Sequence, residues 1–212
     1  MNRQRARLQS LLLVIAVIFL ILPSPARALD GSEVPPLEEF IWQVTNGEAD
    51  ELRGVYAPEV FAFPVVSQPE GSPAFVSIQP DIVTQFGAAS QYDTTGLLAH
   101  NYLAGESFSS LNEGQWIYLI YGDGRIETYI IREFMRFQAL SPNSVTSNFV
   151  DLETGERLSS TQLFFEVFNR PGGVTLQTCI NAEGNLSWGR LFILAEPIAD
   201  EPISMPRGSR FH

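Results

Sequence analysis

The chain has 212 residues, of which 45% are hydrophobic and 11% aromatic. This composition predicts one globular domain with a substantial core, and it excludes a disordered chain. The chain carries 24 acidic residues against 13 arginines and no lysine, and its formal net charge is −11. A chain with this excess of acidic residues repels the phosphate backbones of nucleic acids and the anionic headgroups of lipids. We therefore expect neither nucleic-acid binding nor a basic membrane-binding patch.

Residues 1–28 have the three parts of an export signal: early arginines, the apolar run Leu11–Leu22 and small residues around Arg27. The apolar run has 12 residues, whereas a helix that crosses a bilayer needs roughly 20. We therefore expect cleavage after Ala28 and no membrane span in the mature protein. If the segment is retained, it anchors the chain and the arginines before it still place the rest outside the cytoplasm. Both alternatives predict an exported protein that is extracellular, periplasmic or at the cell surface.

Short aromatic and β-branched runs follow an N-terminal lead-in, residues 29–59, in which Leu37–Trp42 begins a short helix. Turn residues separate these runs, and this pattern predicts an all-β barrel or sandwich over residues 60–197. A proline-rich tail occupies residues 198–212 and is expected to be loose. The predicted strands are Val60–Ser67, Ala74–Ile78, Thr95–Ala99, Trp116–Tyr121, Arg125–Ala139, Val174–Ile180 and Leu186–Ala195.

Two local features are more specific. Gly122-Asp123-Gly124 separates Trp116–Tyr121 from the next strand and supplies the backbone freedom of a tight hairpin turn. A serine at position 159 or 160 caps a short helix over Thr161–Phe168, which ends before a Pro-Gly-Gly turn.

Cys179 is the only cysteine, so the chain forms no internal disulfide even in an oxidising compartment. A cysteine nucleophile needs a positively charged or basic partner. Of the two histidines, His212 ends the tail, so His100 is the candidate partner. For each residue taken alone, an alternative remains open. The alternative for Cys179 is a small apolar residue inside a strand, and the alternative for His100 is a structural role.

Arg190 is the third candidate. If the strands on either side of 181–185 form a hairpin, Arg190 lies close to level with Cys179 on the adjacent strand. An arginine among Leu186, Trp188 and Phe192 is unexpected in a core strand unless an anionic group needs it, because an unpaired buried charge is costly. The alternative is that Arg190 lies on a solvated outer face.

The segments Leu98-Ala99-His100-Asn101 and Thr175-Leu176-Gln177-Thr178-Cys179, together with Arg190, resemble the signatures of sortases, the cysteine transpeptidases of bacterial surfaces. The resemblance spans roughly residues 60–197 and implies a closed β-barrel of about eight strands with one or two short helices. It implies that Cys179 is the nucleophile, His100 the general acid and base, and Arg190 the group that stabilises the oxyanion. Thr178 and three residues of the short helix, Leu163, Phe164 and Phe168, become candidate substrate contacts, although such an apolar helix face is more often part of the core.

The resemblance also implies partners: a peptide substrate with a sorting motif and an amine acceptor. Some sortases use calcium near acidic loops, but Glu153 and Glu156 are as readily explained as solvated surface, so we expect no cofactor. Two alternative functions remain. One is an exported cysteine peptidase or hydrolase on the same barrel, and the other is a catalytically idle barrel that binds a peptide or glycan.

Overall fold

The structure is a computed structural model, and it describes residues 34–144 and 146–198. Ten strands form one sheet in the order β10-β9-β4-β3-β2-β1-β5-β6-β7-β8. An additional pairing joins β10 to β6, so eight of the strands form a closed barrel and β7 and β8 extend from the edge of β6. The closed all-β barrel predicted from the sequence is confirmed.

The strands are β1 (Leu52–Ala57), β2 (Phe61–Ser67), β3 (Val83–Phe86), β4 (Thr95–Leu98), β5 (Trp116–Tyr121), β6 (Ile126–Ala139), β7 (Phe149–Asp151), β8 (Arg157–Leu158), β9 (Val174–Ala182) and β10 (Asn185–Pro197). The helices are α1 (Leu37–Val44), α2 (Gly87–Ser90), α3 (Ser160–Phe168) and a 3-10 helix (Ala104–Ser110). Within the sheet, β2–β3 and β4–β9 are parallel pairs and the other pairs are antiparallel.

Two parts of the barrel differ from the sequence predictions. The predicted strand Ala74–Ile78 is irregular chain, in which the side chain of Ile78 is 78% exposed. The third strand is instead Val83–Phe86, and the Thr84 hydroxyl accepts a hydrogen bond from the Ser77 backbone N–H at 2.8 Å. The barrel also begins at Leu52, inside the segment predicted as lead-in.

Strand β1 was missed because Arg53 and Gly54 interrupt its apolar alternation. The structure explains why a glycine occupies position 54: a Cβ atom there would lie 2.8 Å from the ring of Phe40. Phe40 is the buried anchor of α1, so the glycine allows the helix to pack closely on the barrel.

The core has two main parts, one inside the barrel and one outside it. The interior cluster includes Leu97, Leu176 and Ile193. The outer cluster packs between the barrel wall and α3 and includes Leu98 and Phe192. Because successive strand residues point to opposite faces, these two clusters show which face each residue of β4, β9 and β10 occupies.

The predicted signal peptide, residues 1–28, lies outside the described residues, as does the predicted tail apart from Ile198. Within the part of the chain that the structure describes, no helix has the length and apolar character needed to span a bilayer.

A polar network lies at the start of β6. The hydroxyls of Tyr121 and Tyr129 each donate to Glu127 Oε2 at 2.9 Å, and Arg125 donates to Oε1. Burial, and then the hydrogen bond to the Glu127 carboxylate, raise the pKa of Tyr121 to about 12 and raise that of Tyr129 as well. Partial burial opposes ionisation of Glu127, but the three hydrogen bonds outweigh it and lower the pKa of that carboxyl.

This network predicts a loss of stability at high pH. Because the folded-state pKa of Tyr121 is raised, its contribution to the free energy of unfolding is fully present below the unfolded value of about 10. The contribution is then lost as the pH rises towards 12. We expect phenolate absorbance to show Tyr121 titrating near pH 12, and Glu127→Gln to move this titration to lower pH. Glu113→Gln, which removes a carboxylate elsewhere, is the matched control, and equal titrations of the two variants would contradict the assignment.

Candidate active site

His100, Cys179 and Arg190 come from three neighbouring chain segments. Arg190 pairs directly with Cys179 in the antiparallel β9–β10 ladder. The parallel β4–β9 ladder ends with Leu98 opposite Gln177, and the Ala99 N–H donates to the Gln177 carbonyl at 3.1 Å. His100 follows just after the end of β4, and continuing the register of this ladder by two residues aligns it with Cys179. We call these three candidate residues the catalytic row.

The catalytic row lies on the outer face of the barrel. Leu176 and Leu191 belong to the interior cluster, so strand alternation turns Cys179 and Arg190 outwards. Ala99 also belongs to the interior cluster, which turns His100 outwards in the same way. All three residues of the row are partly exposed. The thiol is therefore neither in the barrel core nor on a fully solvated loop.

Arg190 is held by backbone carbonyls. Its Nη1 donates to the carbonyls of Ser187 at 3.0 Å and Gly189 at 2.9 Å, and Nη2 donates to the Pro142 carbonyl at 3.4 Å. Among the described residues, no carboxylate forms an ion pair with Arg190. A guanidinium has five N–H donors, so the charge is oriented and keeps donor capacity for an anionic group beside Cys179.

The loop that carries His100 is fixed to the neighbouring hairpin. The His100 carbonyl accepts hydrogen bonds from the N–H groups of Leu103 and Gly105, both at 3.0 Å. The Asn101 side chain donates to the Leu186 carbonyl at 2.9 Å, which joins this loop to the β9–β10 hairpin. These contacts position the imidazole relative to Cys179 through the backbone.

The ring of Tyr102 stacks on the imidazole of His100, with centroids 5.2 Å apart and planes inclined by 20°. Sequence reasoning did not select Tyr102, because an aromatic residue in a loop has no periodic signal. Its position two residues after the candidate base was the only available indication. The tyrosine ring is 54% exposed, so it limits the orientations of His100 and leaves the imidazole accessible.

Thr178 occupies the other face of β9 from Cys179. Its side chain is 3% exposed, and its hydroxyl has no hydrogen-bond partner in the described residues. A Cβ atom on Gly105 would lie 2.3 Å from this hydroxyl, so the 3-10 helix covers Thr178 closely. A role for Thr178 in substrate binding stays a prediction.

Helix α3 spans Ser160–Phe168, and the predicted serine cap is Ser159, which forms a capping box with Gln162. The three predicted substrate contacts belong to the packing of this helix on the barrel: Leu163 and Phe168 are buried in the outer cluster, and Phe164 is partly buried against it. Their role in substrate binding remains a prediction. Phe165, at 43%, is the exposed aromatic residue on this helix.

An apolar floor adjoins the catalytic row. One level along the same outer face, Leu98, Gln177 and Phe192 lie side by side on β4, β9 and β10. Phe192 packs edge-on against both Phe137 and Phe168. Leu98 and Phe192 are 7% and 4% exposed, so the outer cluster fills this level and leaves little free apolar surface beside the thiol.

A cavity of about 760 Å³ lies elsewhere, near the start of β4 and the residues just before β9. The catalytic row is at the opposite ends of these two strands. We base the active-site assignment on the chemistry of the row rather than on cavity size, because an extended peptide binds along an open surface.

Within residues 34–144 and 146–198, no three His, Cys, Asp or Glu side chains are grouped closely enough to hold a metal ion. Glu153 and Glu156 lie at the turn between β7 and β8. There Asp151 Oδ1 accepts hydrogen bonds from the N–H groups of Glu153 and Thr154 at 2.7 and 2.9 Å, which organises the turn.

No protein-family model and no curated protein matches the sequence. Solved structures with a similar fold include a sortase C1 from Streptococcus suis, with 16% identity over 76% of this chain and 77% of that chain and a TM-score of 0.47. Sortase C-1 from Actinomyces oris has 13% identity over 79% of this chain and 83% of that one, with a TM-score of 0.47. Sortase A from Listeria monocytogenes has 13% identity over 70% of this chain and 88% of that chain, with a TM-score of 0.42. These enzymes belong to the family that the motifs around His100, Cys179 and Arg190 resemble. Likeness of this degree assigns no activity and no residue role to this chain.

Gly189 determines how closely β10 approaches β6 beside Arg190. A Cβ atom there would lie 2.5 Å from the backbone carbonyl oxygen of Phe137, which no side-chain rotation relieves. We expect Gly189→Ala to lower the free energy of unfolding by about 1–3 kcal/mol, measured by urea denaturation. At Gly87 the nearest atom is 3.8 Å from an added Cβ, so the control Gly87→Ala should change stability by less than about 0.5 kcal/mol. Equal stability of the two variants would contradict this packing.

Proposed function

We propose that this chain is a sortase-like cysteine transpeptidase. The observation that supports the proposal is the pairing of the only cysteine, Cys179, with Arg190, which forms no ion pair among the described residues, while His100 lies just after the neighbouring strand β4. A nucleophile, a proton carrier and a fixed positive charge are the groups that acyl transfer needs.

In the first half-reaction, the Cys179 sulfur attacks a peptide carbonyl carbon. The developing oxyanion receives hydrogen bonds from the donors that Arg190 has not used on backbone carbonyls. When the C–N bond breaks, His100 gives a proton to the departing amine, and an S-acyl bond to Cys179 remains. In the second half-reaction, an amine attacks this thioester, His100 takes the proton of the amine, and the thiolate leaves.

The peptide partner is proposed to lie along the apolar floor beside the row. Leu98 and Phe192 are 7% and 4% exposed in the outer cluster beneath α3, so they support this floor rather than contact the peptide themselves. The acceptor is an amine, and because the chain has no lysine, its own amino terminus is the one amine with which it could link to itself. We propose an exported location at the cell surface, in keeping with the signal predicted at residues 1–28.

A peptidase on the same barrel differs only in its second step, where water replaces the amine. The idle binding barrel differs earlier, since it forms no thioester. A peptide library incubated with the protein, with hydroxylamine or with an added peptide amine, distinguishes all three. Hydroxamate products indicate a thioester and therefore an enzyme; ligation to the added peptide amine then indicates a transpeptidase, and carboxylic acid products in place of ligation indicate a peptidase. Unchanged peptides that remain bound indicate a binding protein.

The role of Arg190 gives a quantitative prediction. We expect Arg190→Ala to lower kcat/KM about 100- to 1,000-fold, the typical effect of removing an oxyanion donor. Arg190→Lys should recover little of the lost kcat/KM. A lysine ammonium lacks the planar guanidinium fork, which donates to the Pro142 and Ser187 carbonyls and still has free N–H donors. Arg136→Ala, which removes an exposed arginine from β6, is the control for charge. An Arg190→Ala enzyme with unchanged kcat/KM would refute the proposed role.

A further inference from the structure

The cavity of about 760 Å³ lies at the end of the barrel remote from the catalytic row. Its walls come from the start of β4, the turn before β9, the end of β10 and the β5–β6 hairpin. The mouth of a β-barrel is a common place for a small-molecule site. The cavity residues that can contact a ligand through a charge, a hydrogen bond or an aromatic ring include Asp93, Trp116, Tyr121, Glu127 and Tyr129.

Several polar atoms of this cavity are hydrogen-bond acceptors. The protons of Tyr121 and Tyr129 both point to Glu127 Oε2, so the two phenolic oxygens offer a ligand only lone pairs. The raised pKa values of both tyrosines keep these protons in place at neutral pH. The Thr94 hydroxyl is already occupied, because it donates to the Tyr92 carbonyl and accepts from the Arg170 N–H. A ligand made of donors suits such a site.

The charges also favour a cation. Arg125 is paired with Glu127 and stacks on the Tyr121 ring at 3.7 Å, so these two charges offset each other. Asp93 is exposed, and no described arginine forms an ion pair with it. Its carboxylate leaves the cavity with a net negative charge. Trp116 is 51% exposed, and its ring provides the aromatic face that attracts ammonium groups.

We propose that this cavity is a second binding site, which takes an organic ammonium ligand. The ammonium donates to Asp93 and the two phenolic oxygens, and its apolar stem packs on Trp116. The site is independent of Cys179 and does not depend on the proposed transpeptidase activity.

The three tryptophans allow a direct test. Trp116 lines the cavity, Trp188 lies two residues from Arg190, and Trp42 is on α1. Their indole N–H signals are assigned in two-dimensional NMR spectra of the ¹⁵N-labelled full chain by single Trp→Phe variants. The probe is n-butylammonium, and butanol and butyrate are the neutral and anionic controls.

We expect n-butylammonium to shift the Trp116 signal saturably, with the same titration in Cys179→Ala. Asp93→Asn should weaken this binding about tenfold, as should Tyr121→Phe, because each removes a hydrogen-bond partner of the cation. Asp93 has a positive backbone φ of 53°, which asparagine also tolerates, so that variant is expected to fold. The proposal is overturned if there is no saturable shift, if butanol shifts Trp116 equally, if Trp188 or Trp42 responds in place of Trp116, or if folded Asp93→Asn binds like the wild type.

Discussion

The hydrogen-bonded register of β9 with its two neighbours is the constraint on which the candidate active site depends. β9 pairs antiparallel with β10, the next strand of the chain, and in parallel with β4, which is more than seventy residues away in the sequence, so one strand aligns near and distant residues. A shift of either pairing by one residue would turn a partner of Cys179 into the barrel interior. The interior packing of Leu97, Leu176 and Ile193 opposes such a shift, because it would expose apolar side chains and bury polar ones. The core therefore determines the geometry of the surface site.

Close backbone contacts support the same arrangement. Gly105 lets the 3-10 helix approach Thr178 and the carbonyls after β4, and Gly189 lets β10 approach β6. Between them they position the loop of His100 and the strand of Arg190. Carbonyls rather than carboxylates hold Arg190, so its positive charge is oriented without being neutralised. An anionic intermediate beside Cys179 requires this combination.

Local signals explain what the sequence could predict. The predicted hairpin turn let simple counting place Arg190 close to level with Cys179, and a register shift between Asn185 and Gly189 makes the pairing direct. His100 is different, because its alignment depends on a parallel pairing across more than seventy residues, which no local pattern reveals. Its inclusion rested on the scarcity of histidines and on the resemblance to sortases. Tyr102 and Pro142 were missed for the same reason, since their contacts with the row follow from tertiary packing.

Strand prediction failed where side-chain pattern and backbone pairing disagree. Ala74–Ile78 has the composition of a strand but forms no ladder, whereas β1 contains Gly54 because α1 packs against it. The two ends of the barrel also differ in chemistry. One end has Cys179 beside Arg190, which forms no ion pair among the described residues, and the other has a cavity lined by Asp93, Glu127 and two tyrosines.

The most direct test of the account is native labelling of the thiol, followed by intact mass, with a methanethiosulfonate reagent. Because Cys179 is the only cysteine, each adduct reports on that residue alone. The account predicts a single rapid adduct on the folded protein, none in Cys179→Ala and slower labelling in His100→Ala, because a neighbouring imidazole favours the reactive thiolate. Labelling that occurs only after unfolding would show that the thiol is inaccessible and would contradict the assignment of the catalytic row.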